Sequence, residues 1–235
     1  MKAPLDPDCE PASKKKRVNI TIRCSLKELA ECLKLLKVRH LDELEAGGLG
    51  CLQHFSIDSN ICRPLIFFLM HRIDPATMTL DLGDGKKLNI TAHAIEMLFG
   101  LPRGSKTAPR PSQKEYDDGH DEELQQLKQE LGFDPKKTVN TDDLRGLLKI
   151  LVEDESKDKL TMKVFGLILY SKFICRGATV RLCREAPMVQ KVSISDLWDY
   201  DLCQLVVDEL KKAVIYLLKQ QEAGVDNPAD RKSVV

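Results

Sequence analysis

The sequence predicts a mostly α-helical fold with one small β-hairpin near residues 77–90. Over most of the chain, apolar residues recur every three or four positions, which is the spacing of an amphipathic helix. Apolar and polar residues instead alternate around residues 80–82 and 88–90, on either side of Gly83-Asp84-Gly85. Glycines at such a position supply the positive φ angles that a tight hairpin turn needs.

A capping box predicts the start of the first helix. Ser25 and Glu28 have the spacing at which the serine oxygen accepts a hydrogen bond from the first turn and the glutamate reaches back. Leucines at helical spacing follow. A second, shorter helix is predicted over residues 41–48, and a loop over residues 50–60.

The next helix is apolar at nearly every position from residue 65 to residue 71. Pro64 suits the first turn of this helix, because the missing N–H of proline is not needed there. A helix that is apolar all round is normally buried on all sides. The sequence therefore predicts that this helix is central to the core.

A helix start and a helix stop follow the hairpin. Thr91 is placed to cap a helix, Gly100 to end it in a left-handed conformation, and Pro102 to prevent its continuation. Gly83 and Gly85 also invite a phosphate-loop reading. A P-loop needs G-x-x-x-x-G-K-[ST], and a dinucleotide fingerprint needs a helix directly after its glycines. Because a strand follows here, the glycines are interpreted as architectural and no cofactor is predicted.

The second half is predicted to be helical after a linker. Residues 103–119 are rich in Pro, Ser, Lys and Asp, which is typical of a loop and marks a candidate boundary between two subdomains. Thr141 is predicted to cap a helix. Helices are expected over residues 121–131, 142–152, 160–175 and 202–220, with a loop over residues 176–190 and a short helix ending at Trp198.

Trp198 is the only tryptophan in the chain. It lies at helical spacing from Ile194 and Leu202, which favours a role as a core anchor. The alternative is a hot spot for binding another protein, a role in which tryptophan is enriched.

The domain is predicted to span residues 19–222, between disordered tails at 1–18 and 223–235. The first tail ends in four consecutive basic residues, and such a run after a Pro- and Ser-containing segment is typical of a nuclear import signal. The alternative is an ordinary solvated charge run. The residues concerned are Lys14, Lys15, Lys16 and Arg17.

Composition narrows the class of protein. Acidic and basic residues balance at 36 each, so an electropositive nucleic-acid binder is not indicated globally. No stretch approaches the ~20 apolar residues of a transmembrane helix. The eight cysteines show neither C-x-x-C nor zinc-finger spacing, so free thiols in a reducing compartment are expected and no metal site is predicted.

The sequence predicts that the chain is not an enzyme. No two of the five histidines have the H-x-x-x-H spacing of a metal pair. His93, Asp142 and Cys183 occur in an order that a cysteine hydrolase could use, but no glycine-flanked nucleophile supports that reading. A Cys/His hydrolase is therefore kept only as a less favoured alternative.

Two segments resemble the plant mobile domain family, called aminotransferase-like, and its relatives in grass transposon-derived proteins. Members of that family have an apolar helix, a D-P entry, a hairpin reading I-x-I-T and a helix ending in L-G-L-P-x-G, and residues 65–105 follow this pattern with L-N-I-T at residues 88–91 and F-G-L-P-R-G at residues 99–104. Residues 165–214 are similar to the later core of the family. The residues that carry the first match are Asp74, Leu80, Leu88, Ile90, Thr91, Leu98, Gly100, Leu101, Pro102 and Gly104. Departures occur at Ala46-Gly47-Gly48, where the family often has Gly-Phe-Gly-Gly, and at Cys175-Arg176, where it often has Cys-Pro.

The resemblance implies a plant protein derived from a transposable element, with a nuclear role of the silencing or genome-stability type. Nothing in the residues supports an aminotransferase activity. We therefore expect a non-catalytic nuclear domain that binds an import receptor through its basic tail and a further protein or nucleic acid, with no membrane partner. The alternatives are a degenerate element remnant or scaffold, and a cytoplasmic location.

Overall fold

The structure is a computed structural model that describes residues 26–54, 62–108, 120–174 and 194–222. The prediction of a mostly α fold with a small hairpin is confirmed. In the first half, the helices are α1 (Leu26–Leu33), α2 (Val38–Ala46), α3 (Arg63–His71) and α4 (Ala92–Phe99), with a 3₁₀ helix at Gly50–His54. In the second half they are α5 (His120–Glu130), α6 (Thr141–Leu151), α7 (Asp158–Leu169) and α8 (Leu202–Glu222). Glu155–Lys157 and Ile194–Asp199 are 3₁₀ helices, and a π-helical turn, Tyr170–Ile174, continues α7.

The sheet consists of β1 (Ile73–Asp74), β2 (Thr79–Gly83) and β3 (Lys86–Asn89), antiparallel and in that order. Leu80 pairs with Ile73 on one side and Leu88 on the other. The turn between β2 and β3 contains Asp84 and Gly85 with φ angles of 52° and 74°. The hairpin is thus confirmed in its predicted place, whereas the two-residue strand β1 is too short to leave a periodic pattern.

The predicted ends of α4 are both confirmed. The Thr91 hydroxyl accepts a hydrogen bond from the Ala94 N–H at 3.1 Å, as an N-cap does. Gly100 has a φ of 60°, and its N–H donates to the Glu96 carbonyl at 2.7 Å. Glycine is suited to this left-handed position because it has no Cβ to clash.

The predicted cap of α6 is wrong by one residue. Asn140, not Thr141, is the N-cap: its side-chain oxygen accepts from the Asp143 N–H at 2.9 Å. The Asp143 carboxylate accepts from the Asn140 N–H in return, at 2.9 Å. The reciprocal bonds favour Asn140 because it stands three residues before an acidic side chain, which is the spacing of a capping box. Thr141 becomes the first helical residue and is buried.

The core centres on α7 rather than on α3. Residues 164–169 of α7 are buried, and Phe165 and Ile168 are fully enclosed against α6 and α1. The prediction that α3 is central is wrong: Leu65 and Phe68 are each more than half exposed, and α3 packs at the periphery along α8. A run that is apolar on every side of the helix does not show which side is buried. The sequence therefore cannot distinguish a central helix from a peripheral helix with an exposed apolar face.

We predict that the hairpin glycines serve backbone geometry. Gly85→Val forces a β-branched residue into a positive φ and is expected to lower the free energy of unfolding by about 1–3 kcal/mol. Thr91→Ala removes the cap bond and is expected to lower it by about 1 kcal/mol. Lys86→Ala, on the exposed β3, is the control and should change it by less than about 0.5 kcal/mol. Urea unfolding measures all three.

The phosphate-loop alternative makes a different prediction for the same variants. If calorimetry detects saturable micromolar binding of ATP, GTP or NAD that Lys86→Ala abolishes, the architectural interpretation of the hairpin is wrong.

Candidate functional site

Two segments that lie far apart in the sequence meet beside α8. Residues 102–106, from the predicted linker, run against residues 199–202, and we call this the loop contact. Four backbone hydrogen bonds join the two segments. The N–H groups of Gly104 and Lys106 donate to the carbonyls of Tyr200 (3.1 Å) and Asp199 (2.8 Å), respectively. In the other direction, the N–H groups of Asp201 and Leu202 donate to the carbonyls of Lys106 (2.9 Å) and Pro102 (3.1 Å), respectively. Residues 103–106, at the start of the predicted linker, are therefore held by backbone hydrogen bonds.

The loop contact depends on a close approach at Gly104. A Cβ atom placed there would overlap the backbone of Asp199 and approach the Trp198 carbonyl. The 194–200 segment presses equally closely on the end of α2, where a Cβ on Gly47 would overlap the Ile194 carbonyl. Glycines thus line both sides of this segment, because no larger residue leaves room for its backbone.

Trp198 lies on the outside of this arrangement. Its indole ring rests on Gly48, beside Pro102, at a distance that leaves no room for a side chain on the glycine. Trp198 is nevertheless 61% exposed. The prediction of a core anchor is therefore wrong.

The reason lies in the local helix type. Trp198 is at helical spacing from Ile194 and Leu202 only if one α-helix runs through all three. Instead, residues 194–199 form a 3₁₀ helix with three residues per turn, and α8 begins afterwards at Leu202. Ile194 and Leu202 are both buried, and the indole is turned away from them.

Two thiols hold the stretch before the loop contact. Cys203 is fully buried and its Sγ donates to the Leu101 carbonyl at 3.3 Å, while Cys51 Sγ donates to the Gly100 carbonyl at 3.4 Å. Burial raises the pKa of the Cys203 thiol to about 11. Because the thiolate is the nucleophilic form of cysteine, Cys203 is a structural donor at neutral pH.

His93 and Asp142, two residues of the hydrolase alternative, each pair with another side chain. His93 is exposed, and its Nδ1 lies 3.1 Å from Glu96 Oε2. Asp142 instead accepts from Arg145 at 3.0 Å. Cys183, the third residue of the hydrolase alternative, lies outside the described residues.

The buried histidine is part of an ion network between two helices. His40, only 1% exposed, accepts from the Lys37 N–H through Nδ1 and contacts Asp158 Oδ1 through Nε2 at 2.9 Å. Arg39 donates to the other oxygen of Asp158 at 2.7 Å and holds the pKa of that carboxyl below its usual value. Nδ1 of the imidazole thus closes the first turn of α2, and Nε2 joins α2 to α7.

The structure brings together only some of the residues that the sequence singled out. Pro102 and Trp198 both lie beside Gly48, whereas Gly83 and Gly85 lie at the hairpin turn, and Thr91 and Gly100 at the ends of α4. The basic run at residues 14–17 and Ser25 lie outside the described residues. Gly47, Gly48 and Gly104 were not predicted as contact residues, and their only signal is their spacing in the Gly-Gly and L-P-x-G stretches.

The described part of the chain shows neither a membrane-spanning helix nor a metal-binding cluster. No helix there has the length and apolar character to cross a bilayer. No group of three or more His, Cys, Asp and Glu side chains among these residues is arranged to hold a metal ion.

The fold and the loop contact define a helical domain with a small accessory sheet. The chain belongs to the family described as "Domain of unknown function (DUF8566)", whose model matches residues 22–228. The match includes every described element of the structure. Searches of curated proteins and of solved structures find no match.

We predict opposite effects of alanine at two glycines. Gly104→Ala places a Cβ against the Asp199 backbone and is expected to destabilise the fold by about 1–3 kcal/mol. Gly146→Ala, in the exposed middle of α6, meets nothing within 4 Å and is expected to stabilise it by about 0.5–1 kcal/mol. Chemical denaturation of both variants compares the two values. Equal stability of Gly104→Ala and the unaltered chain would rule out the close approach.

Proposed function

We propose that the chain is a non-catalytic domain that acts by binding another protein through the surface around Trp198. The observation that carries this proposal is the exposure of the indole on a backbone held in place by the loop contact. Tryptophan is enriched among the residues that dominate protein interfaces. A pre-ordered backbone also reduces the entropy lost on binding, so a modest contact area gives more affinity there.

The charges favour a protein over a nucleic acid as the partner at this surface. Asp196, on the same 3₁₀ helix as Trp198, is exposed, and Asp199 on that helix already pairs with Lys106. Nucleic-acid binding draws most of its affinity from Lys and Arg contacts to phosphates, and carboxylates repel them. The formal net charge of the whole chain is zero, which adds no general attraction to a polyanion.

The setting that we propose for this binding is the plant nucleus, in a transposon-derived protein with a silencing or genome-stability role. Two features support it: the resemblance of residues 65–105 and 165–214 to the plant mobile domain family, and the basic run at residues 14–17.

The binding proposal is tested with paired variants in extracts of plant nuclei. Trp198→Ala removes the exposed indole, and Met97→Ala, a 74% exposed residue of α4, is the matched control. We expect a reproducible set of proteins to be retained by the unaltered chain and by Met97→Ala but lost by Trp198→Ala. Each identified protein is then purified and titrated against the chain while the fluorescence of Trp198, the only tryptophan, is followed.

The outcome that contradicts the proposal is a set of captured proteins unchanged by Trp198→Ala, with no purified candidate altering the tryptophan emission. Thermal unfolding of both variants checks that the domain is still folded.

The import proposal has its own test. Changing Lys14, Lys15, Lys16 and Arg17 together to Ala is expected to move a fluorescently tagged chain out of the nucleus, because an import receptor reads their charges. The tag must be large, since a chain of 26.5 kDa diffuses through nuclear pores unaided. Unchanged nuclear accumulation of the four-Ala chain would show that these residues are not the signal.

A further inference from the structure

Two acidic residues belong to the segments that meet at Trp198. Asp196 lies two residues before it on the same 3₁₀ helix, and Glu45 lies in the last turn of α2, three residues before the glycine that carries the indole. Both carboxylates are exposed, and neither forms a salt bridge among the described residues. Lys106, which pairs with Asp199, acts on Asp196 only from a greater distance, so both carboxylates have room for a cation of a partner.

The end of α2 adds to this field. The carbonyl groups at the C-terminus of a helix carry a partial negative charge that favours cations. The last turn of α2 contains no basic residue to complement it. Gly47 and Gly48, which follow this turn, are the residues on which the 194–198 segment rests.

The same segment already holds one cation of the chain itself. The Lys106 ammonium lies 2.7 Å from Asp199 Oδ2 and 5.7 Å from the centroid of the Tyr200 ring. Its hydrogen bond to Asp199 raises the pKa of Lys106, so the ammonium form is the one that is held. The carboxylate of Asp199, the residue after Trp198, and the adjacent ring of Tyr200 thus act together on the Lys106 ammonium.

Trp198 and Asp196 offer an indole and a carboxylate on one exposed 3₁₀ helix. An indole is the strongest cation–π partner among the side chains, and among the described residues no cation lies over the Trp198 ring. A purely apolar partner would bury Asp196 and Glu45 without a hydrogen-bonding partner, which is unfavourable.

We propose that the partner bound at this surface presents a cationic segment: a Lys or Arg side chain lies on the free face of the Trp198 indole, and neighbouring cations pair with Asp196 and Glu45. This inference rests on the proposed function, because it names the chemistry of the partner at the same surface. The occupant is a segment of a separate protein.

The probe is a synthetic peptide, Ala-Ser-Lys-Lys-Lys-Arg-Val-Asn, which has the sequence of residues 12–19 of the chain. It contains no aromatic residue, so Trp198 is the only tryptophan in the mixture. It is titrated into the full chain while the emission of Trp198 is recorded. We expect saturable binding that weakens as salt is added, because exposed charges are screened. A peptide with Glu in place of the four basic residues should leave the emission unchanged.

Two variants of equal charge change locate the site. Asp196→Asn is expected to weaken binding by up to about fivefold, the range of an exposed ion pair. Asp84→Asn, at the hairpin turn, is the matched control and should have no effect, because asparagine also tolerates the positive φ found there. Trp198→Ala, followed with a dye-labelled peptide, should weaken binding roughly 30-fold, as hot-spot truncations do.

If Asp84→Asn and Asp196→Asn weaken binding of the basic peptide equally, the effect is due to the overall charge of the chain and the inference is overturned. Tighter binding by the chain with residues 14–17 changed to Ala would make its own basic run the occupant and overturn the assignment to a separate partner. If the basic peptide does not bind but a purified nuclear protein alters the Trp198 emission, the cationic partner is excluded and the proposed function stands. If neither changes it, both proposals fail.

Discussion

Four backbone hydrogen bonds between residues 102–106 and 199–202 connect parts of the chain that are 93 residues apart at Lys106 and Asp199. They fix where α4 ends relative to where α8 begins, because Pro102 and Leu202 are joined directly. Asp201, a donor in this contact, also caps α8 by accepting from the Gln204 N–H at 2.7 Å. The contact exists only because Gly104 has no side chain, so the packing of α4 on α8 depends on one small residue.

The surface that we propose for binding is a consequence of the same constraint. Holding residues 199–202 in place leaves the preceding 3₁₀ helix wedged between the end of α2 and the linker, with Ile194 turned inward. The indole of Trp198 then covers Gly48 beside Pro102, and most of the residue stays exposed. Stability of the contact and exposure of the ring therefore come from one arrangement.

Much of this fold was predictable from local patterns. The hairpin, the cap at Thr91 and the stop at Gly100 each depend on residues that are neighbours in the sequence, and all three are confirmed. The sequence is a poor guide where contacts between distant residues, or the type of helix, determine which side chains are buried. Trp198 was assigned to the core by α-helical spacing, but the segment is a 3₁₀ helix. The role of Gly104 was missed because its clash partner, Asp199, is 95 positions away and no local pattern marks the pair.

The most direct test of the loop contact is amide hydrogen exchange in the native chain. The account predicts that the amides of Gly104, Lys106, Asp201 and Leu202 are strongly protected, and that Gly104→Ala removes the protection of all four together while the α6 amides stay protected. Exchange of these four amides in the unaltered chain at the rate of an unfolded peptide would contradict the claim that the loop contact organises the fold.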